Sequence, residues 1–328
     1  MLILRSGYTT GSTACAAACA SCIYTLKNIL PSQVNISLPG GLTADIPIHM
    51  DDNGIYAVKD GGDDIDATHG MKIYAEITIN DSGEITVRGG EGIGTVTRKG
   101  LQIPVGHSAI NPVPLKMIKE NLKNLLNGHG ADVIISAPEG KEIARQTFNE
   151  KVGITGGISI IGTTGIVTPM SVEAIIETIK CEINVASAEG YKKICLTPGK
   201  IGENNFSSEY KGIPVIMMSN FTGEAFAYAR EKGFSEIFTA GHPSKLCKIL
   251  MGYYNTHSKN SPQSAGYIAG RLGLDASFNT VEEILEQDGT DLSFLASELA
   301  ERLEKDFGFA HVSVIFYDMK GRKKGERF

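Results

Sequence analysis

The hydrophobic pattern changes character along the chain. After Gly11-Ser12, residues 13–28 are rich in Ala, Leu and Cys, and Ser12 or Thr13 can cap the start, so a helix is predicted there. Short β-like runs follow at 34–38, 42–49, 55–58, 71–80 and 84–88, with Asn80-Asp81-Ser82-Gly83 marking a hairpin between the last two. A loop over 89–111 leads through Pro112 and Pro114 into a helix over 115–126, then an apolar strand at 131–137. From about residue 153 the rhythm becomes apolar strand, glycine-containing turn, helix: 158–161 then 171–187, 193–196, 214–218 then 224–232, and 236–239 then 244–254. Strands without alternation, separated by helices, read as a parallel sheet. Helices over 281–287 and 291–307 and a strand at 311–317 follow; that strand either stays in the C-terminal sheet or returns to the N-terminal one. The expected fold class is α/β with α+β: an α+β domain over 1–150 with a mostly antiparallel sheet, and a parallel α/β domain over 151–328. The polar stretch 255–263 is a lid or a plain surface loop.

A length of 328 residues suits two domains, and 42% hydrophobic with 21% charged residues is ordinary for a soluble globular protein. The balance of 31 basic against 37 acidic residues, without Lys/Arg blocks, gives no footprint for a nucleic-acid backbone. Residues 1–5 run at once into Ser, Gly, Tyr and Thr, so a signal peptide is not expected. The uncharged stretch 6–26 carries Gly7, Gly11, Ser12 and Ser21 and is too polar for a membrane span. Six cysteines are too sparse for a disulfide framework, which makes the cytoplasm the expected compartment. Glycine is in excess, at 38 residues against a usual share of about 7%, which raises the expectation of loops where backbone approaches a ligand.

In open α/β sheets ligands lie beyond the carboxyl ends of the strands. The run from Gly156 to Gly165 nearly meets the phosphate-loop pattern, but Thr163 occupies the lysine slot. Nucleotide hydrolysis is therefore not expected; the loop holds another polar ligand through its N–H groups or is a structural turn. Thr197-Pro198-Gly199, Asn220-Phe221-Thr222-Gly223-Glu224 and Ala240-Gly241-His242 sit where a ribose or carboxylate docks. Glu224 either binds two hydroxyls or answers the helix dipole, and His242 reads as a structural helix-start residue.

Cys15, Cys19 and Cys22 match the C-x3-C-x2-C spacing of an iron–sulfur cluster in radical enzymes. They also lie on one helical stripe, and the intervening Ala and Ser favour helix over a ligating loop, so buried thiols are expected. Residues 59–70 pack Asp60, Asp63, Asp64, Asp66 and His69 into one loop, a solvated turn or a polar substrate wall. As a calcium loop from Asp64 it fails, because the glutamate needed at the twelfth position falls on Ala75. Gly90 to Thr97 lacks the third glycine of a dinucleotide fingerprint. Gly7-Tyr8-Thr9-Thr10-Gly11-Ser12 before the Ala-rich helix reads as an anion cradle for a carboxylate or phosphate, beyond what capping needs.

Taken together, several strings resemble the CbiD family, the cobalt-precorrin-5B C1-methyltransferases of anaerobic cobalamin biosynthesis. They are Gly7 to Ser12, Lys59-Asp60 with Gly62-Asp63-Asp64, Thr68-His69-Gly70, Gly92 to Thr97, Ala109 to Pro114, Gly156 to Val167, and Asn255-Thr256-His257-Ser258. The resemblance spans roughly residues 5–258 and departs at Leu115, where a basic residue is common, and at Lys259-Asn260-Ser261, which replaces an acidic stretch. It implies a Rossmann-like C-terminal domain and transfer of a methyl group from S-adenosylmethionine to carbon 1 of a cobalt-containing tetrapyrrole, giving cobalt-precorrin-6A. Cobalt then belongs only to the substrate, no resident metal is expected, and other enzymes of the pathway are candidate partners. In that reading Gly162, Thr163, Thr164, Gly165, Gly199 and Glu224 hold the donor. Thr10, Gly11, Ser12, Asp60, Asp63, Glu91, Gly94 and Asn111 face the macrocycle, and Asp64, His69 and His257 are the catalytic candidates. An acidic protein repels a polycarboxylate, and backbone N–H groups with Arg98, Lys99 and Lys116 are the expected offset. The competing readings are a corrinoid-binding carrier without catalysis and a radical enzyme using Cys15, Cys19 and Cys22.

Overall fold

The computed structural model describes residues 4–274 and 278–328, so residues 1–3 of the expected charged start lie outside the described residues. The chain folds as two units, the first ending at Ser171 and the second beginning at Val172.

In the first unit a short strand β1 (Gly7–Tyr8) runs into α1 (Thr10–Lys27), the expected small-residue helix. Every residue from Thr10 through Cys22 is buried. Ala, Ser, Thr and Cys let neighbours approach the axis on all sides, which is how a helix without a polar face survives in a core. Strands β2 (Gln33–Ser37) and β3 (Thr43–Pro47) form a separate antiparallel ribbon with alternate residues buried. Then come β4 (His49–Asp51), β5 (Gly54–Val58), β6 (Lys72–Asn80), β7 (Ile85–Gly89), β8 (Thr95–Val96), α2 (Pro112–Leu126) and β9 (Gly130–Ser136). Five of these strands make one sheet in the order β4-β5-β6-β9-β7, antiparallel except where β7 meets β9.

That order corrects the expected hairpin. Ala131 of β9 pairs with Ile79 of β6 on one side and Ile85 of β7 on the other, so the turn Asn80-Asp81-Ser82-Gly83 joins strands that flank β9. The turn spans two strand spacings, about 10 Å. The local turn chemistry is as expected, but the strand that separates its arms arrives about fifty residues later.

The segment 158–161 is likewise not a strand of the C-terminal sheet. After α3 (Gly140–Ala144), β10 (Ile154–Thr155) pairs with β8, and β11 (Ile166–Val167) pairs with β1. Between them Ile158 and Ile160 form single bridges to Ile93 and Ile110 and join the core around α1 and β6. Residues 151–171 are thereby laced into the first unit, and the boundary falls after Ser171 rather than at 150.

The second unit comprises α4 (Val172–Ala188), β12 (Lys193–Thr197), α5 (Lys200–Glu209), β13 (Val215–Met217), α6 (Thr222–Glu231), β14 (Glu236–Gly241), α7 (Pro243–Leu250), α8 (Ala265–Arg271), α9 (Val281–Leu285), α10 (Ser293–Phe307), β15 (His311–Tyr317) and β16 (Lys323–Arg327). The sheet order is β13-β12-β14-β15-β16, with parallel pairing up to β15 and an antiparallel edge strand β16. Strand 311–317 therefore stays in this sheet. Leu196 packs into one apolar cluster and Cys195 into another with Phe206 and Tyr317, so helices cover both faces and the strands need no polar alternation. From β12 the chain first steps outward to β13 and then returns past β12 to β14, which puts the reversal of strand order between β12 and β14. Helix α5 has no clear signal in the sequence because Ile201 and Phe206 are its only large apolar residues.

Candidate functional site

The loop between β5 and β6 concentrates the charged chemistry of the first unit. Lys59 is 1% exposed, and its Nζ meets Asp66 Oδ2 at 2.6 Å. Burial pushes the Asp66 carboxyl up, but the Lys59 and Thr68 hydrogen bonds outweigh it and hold the group below its ordinary value. The Arg5 guanidinium forks onto Asp60, Nη1 to Oδ2 at 2.5 Å and Nη2 to Oδ1 at 2.9 Å. That hydrogen bond, against the opposing push of burial and with help from the Gly62 N–H, takes the Asp60 carboxyl down to about 2. Asp63 Oδ2 accepts the Arg5 N–H at 2.6 Å, and Asp64 Oδ1 accepts the Met170 N–H at 3.0 Å. His69 Nδ1 accepts the Gly61 N–H at 3.0 Å, which places the proton of a neutral ring on Nε2 and makes the half-exposed imidazole a donor at that nitrogen. Asp63, Asp64, Asp66, His69 and Gln146 line an open depression of about 530 Å³, with Ile65 fully exposed beside it. Asp60, Asp63, Asp64 and His69 are thus brought together as expected from their loop. His257 belongs to the second unit, where its Nδ1 accepts the Lys259 N–H.

The expected anion cradle at α1 is closed from within. The Thr10 hydroxyl donates to Ser159 O at 3.0 Å and accepts the Ile161 N–H at 2.9 Å. The Ser12 hydroxyl donates to Gly165 O at 2.6 Å. The first-turn N–H groups of Gly11, Ser12 and Thr13 go to Ile161 O, Thr9 Oγ1 and Thr9 O. These hydroxyls satisfy the returning segment 159–165, which is why there are more of them than capping requires. The same packing removes Gly162 and Gly165 from the C-terminal half. A Cβ at Gly162 would lie 2.4 Å from Thr9 Oγ1, and one at Gly165 would lie 2.8 Å from Ser12 Oγ. Thr163 and Thr164 are in the first unit, with Thr164 exposed and its hydroxyl donating to Ile166 O.

Gly94 is buried against the backbone of Gly157, whose O would sit 2.8 Å from an added Cβ. Glu91 is exposed, and Asn111 starts α2 with its N–H on Ile160 O and its side chain outside the capping hydrogen bonds. Of the expected cations, the Arg98 guanidinium donates to Lys151 O, Lys116 pairs with Glu120, and Lys99 is exposed. Cys15, Cys19 and Cys22 are buried inside continuous helix, and burial pushes the Cys22 thiol up to about 11. Among the described residues no three His, Cys, Asp or Glu side chains converge as a metal site. Arg5, Gln146 and Met170 were not anticipated, since each reaches the loop from a distant segment and carries no local signal.

In the second unit the turns after β12, β13 and β14 lie at the carboxyl end of the sheet. Thr197 ends β12 with a fully buried hydroxyl that has no partner among the described residues, and Gly199 follows in extended backbone with open space where a Cβ would stand. Lys245 Nζ donates to Pro198 O at 3.1 Å. His242 caps α7 by accepting the Ser244 N–H at Nδ1, and its Nε2 meets Glu282 at 3.0 Å, the structural helix-start role expected from the sequence. Glu224 is exposed in the first turn of α6, after β13.

These two units define a mixed α/β protein with a loop-built polar depression in one unit and ligand-type turns at the strand ends of the other. The chain belongs to the CbiD family, whose model matches residues 2–169. It is 43% identical over 319 residues to proteins named cobalt-precorrin-5B C(1)-methyltransferase from Citrobacter koseri and from Salmonella typhimurium, covering 94% of this chain and 82% of each relative. A crystal structure titled cobalamin biosynthesis protein (cbiD) from Archaeoglobus fulgidus matches 83% of this chain and 85% of that one at 28% identity, with a TM-score of 0.44.

Proposed function

We propose that this protein transfers a methyl group from S-adenosylmethionine to carbon 1 of cobalt-precorrin-5B, giving cobalt-precorrin-6A. The observation that carries the reading is 43% identity across 94% of the chain to methyltransferases of that name. In this reading the first unit presents the tetrapyrrole-facing loops and the second, a Rossmann-like domain, takes the donor at the carboxyl end of its sheet. The residues there fit a polar cosubstrate: an unpartnered Thr197 hydroxyl, an open Gly199 turn at the start of α5, and Glu224, a carboxylate suited to ribose hydroxyls, after the neighbouring strand. The donor supplies a sulfonium methyl that is already electrophilic, so the protein's task is alignment and exclusion of water rather than heavy acid–base work. On the substrate side His69, with Nε2–H outward, is a donor to a substrate carboxylate, and Asp60 and Asp64 hold the loop that carries it.

The test is anaerobic incubation with cobalt-precorrin-5B and methyl-labelled S-adenosylmethionine, followed by mass analysis. Gain of one labelled methyl with formation of S-adenosylhomocysteine supports the transferase. Tetrapyrrole binding without methyl gain, where a CbiD relative turns over, replaces it with the carrier.

A further inference from the structure

Two lysines of α7 lie beneath the strand ends of the second unit without a carboxylate partner among the described residues. Lys248 is 7% exposed; its Nζ donates to Thr256 O at 2.9 Å and to Ser261 Oγ at 3.0 Å, both neutral acceptors. Lys245, one turn earlier and half-buried, has a single neutral acceptor, Pro198 O. Burial lowers the affinity of both ammonium groups for their protons, and for Lys245 the neighbouring Lys248 charge adds to it. Taking an ammonium out of water without a counter-charge is costly, and proteins ordinarily pair such groups. Buried Lys59 has Asp66, and half-buried Lys72 and Arg327 have Asp51 and Glu304, whereas half-buried Lys232 lies over the Tyr228 ring. The Lys245 ammonium meets Pro198 O in the turn that follows the buried Thr197 hydroxyl and leads into α5, a ten-residue helix whose N-terminal N–H groups favour an anion and whose first turn carries Glu203, paired with Lys200.

We propose that Lys245 is the cation of a carboxylate-binding pocket formed with the Pro198-Gly199 turn and the start of α5, with Lys248 as a second positive charge behind it. The pocket rests on the methyltransferase reading for the identity of its ligand, since both molecules of that reaction carry carboxylates: the methionyl end of the donor and the acidic side chains of the tetrapyrrole. The observed bond to Pro198 O orients the ammonium toward the turn. Lys248 supplies field rather than contact, because it is buried and two of its three protons hold residues 256 and 261.

Lys245→Gln keeps a donor for Pro198 O and removes only the charge, and Lys245→Arg keeps the charge. Binding of S-adenosylmethionine, of its decarboxylated analogue and of cobalt-precorrin-5B is measured by equilibrium dialysis on the full chain. A loss of about 10- to 100-fold for S-adenosylmethionine in Lys245→Gln, absent for the decarboxylated analogue and partly restored in Lys245→Arg, assigns the pocket to the donor. An equal loss confined to the tetrapyrrole assigns it to the substrate. Unchanged binding of all three, or equal losses for the donor and its decarboxylated analogue with the tetrapyrrole unaffected, overturns the proposal. If wild-type protein transfers methyl while Lys245→Gln binds every ligand normally, the pocket fails alone. If it transfers none yet binds a carboxylate ligand through Lys245, the functional reading fails and the pocket stands.

Discussion

Replacing Lys59 by Met isolates the ion pair that anchors the charged loop. The methionine stem refills the space of a side chain that is 1% exposed, so little packing is lost, while Asp66 keeps its burial and loses its cation. Removing one partner of a buried pair costs about 3–5 kcal/mol, because the remaining charge is uncompensated. Asp66 is one-fifth exposed and retains the Thr68 N–H and hydroxyl as donors, which places the expected loss near the lower end, about 3 kcal/mol. The pH dependence has a definite sign. The folded-state Asp66 carboxyl lies below its ordinary value, so its contribution is present above about pH 4 and fades as pH falls through the folded value. In Lys59→Met the opposing cation is gone and burial pushes the carboxyl up, so the deficit is largest at neutral pH and shrinks in acid. Urea unfolding read through hydrogen exchange of β5 and β6 amides separates this unit from the other, and Asp66→Asn with the double variant completes a cycle with a coupling of about 2 kcal/mol or more. A Lys59→Met variant within about 1 kcal/mol of wild type at pH 7, or a deficit that stays constant down to pH 3, refutes the reasoning.

Arg5→Gln is expected to release Asp60 from about 2 toward the ordinary carboxylate range, since the guanidinium is the largest cause of its depression; a carboxyl titration by carbon NMR that stays near 2 contradicts this. In wild type the Asp60 contribution is therefore complete above about pH 4 and disappears only as pH approaches 2. Gly92→Ala puts a Cβ 1.7 Å from Ala137 O at φ 71° and is expected to cost about 3 kcal/mol or more, whereas Gly156→Ala, at φ 82° with open space around it, costs about 1 kcal/mol; equal urea midpoints for the two variants dispose of the packing argument. The native thiols are expected to react slowly with a disulfide reagent at pH 8, because five are buried and Cys181 is pushed up to about 11 by burial and then by Glu182 and Glu177; one thiol reacting at once contradicts the buried-helix placement of Cys15, Cys19 and Cys22 or the shift at Cys181.

The elements whose periodicity or flanking turns are local were legible in the sequence, and those defined by distant partners were not. Strands 193–196, 236–239 and 311–317 and helices α4, α6 and α10 appear close to where pattern placed them, since apolar runs bounded by glycine turns decide such elements within a dozen residues. The hairpin at Asn80-Asp81-Ser82-Gly83 and the strand at 158–161 failed for one reason: the pairing partner, β9 in one case and Ile93 with Ile110 in the other, lies tens of residues away. At the site, the cluster of Asp60, Asp63, Asp64 and His69 was legible because it is one loop. Arg5 and Met170, which fix three of its four aspartates with Lys59 fixing the other, were invisible to spacing.

The glycine at position 62 and the order of the acidic loop share one explanation. At Gly62 an added Cβ would lie 2.2 Å from Arg5 O, so only glycine lets the N-terminal segment press against the loop. That contact carries Arg5 to Asp60 and its N–H to Asp63. Two of the four loop carboxylates are thereby neutralised by cations, Asp60 by Arg5 and Asp66 by Lys59, and the other two are held by backbone N–H groups. Two cations thus answer four carboxylates, and Asp63, Asp64 and Asp66 line the open depression beside the His69 Nε2–H and the exposed Ile65. Close backbone approach, which composition alone suggested was for a ligand, is at Gly62 made to other backbone, and it brings Arg5 against two of the loop's four carboxylates.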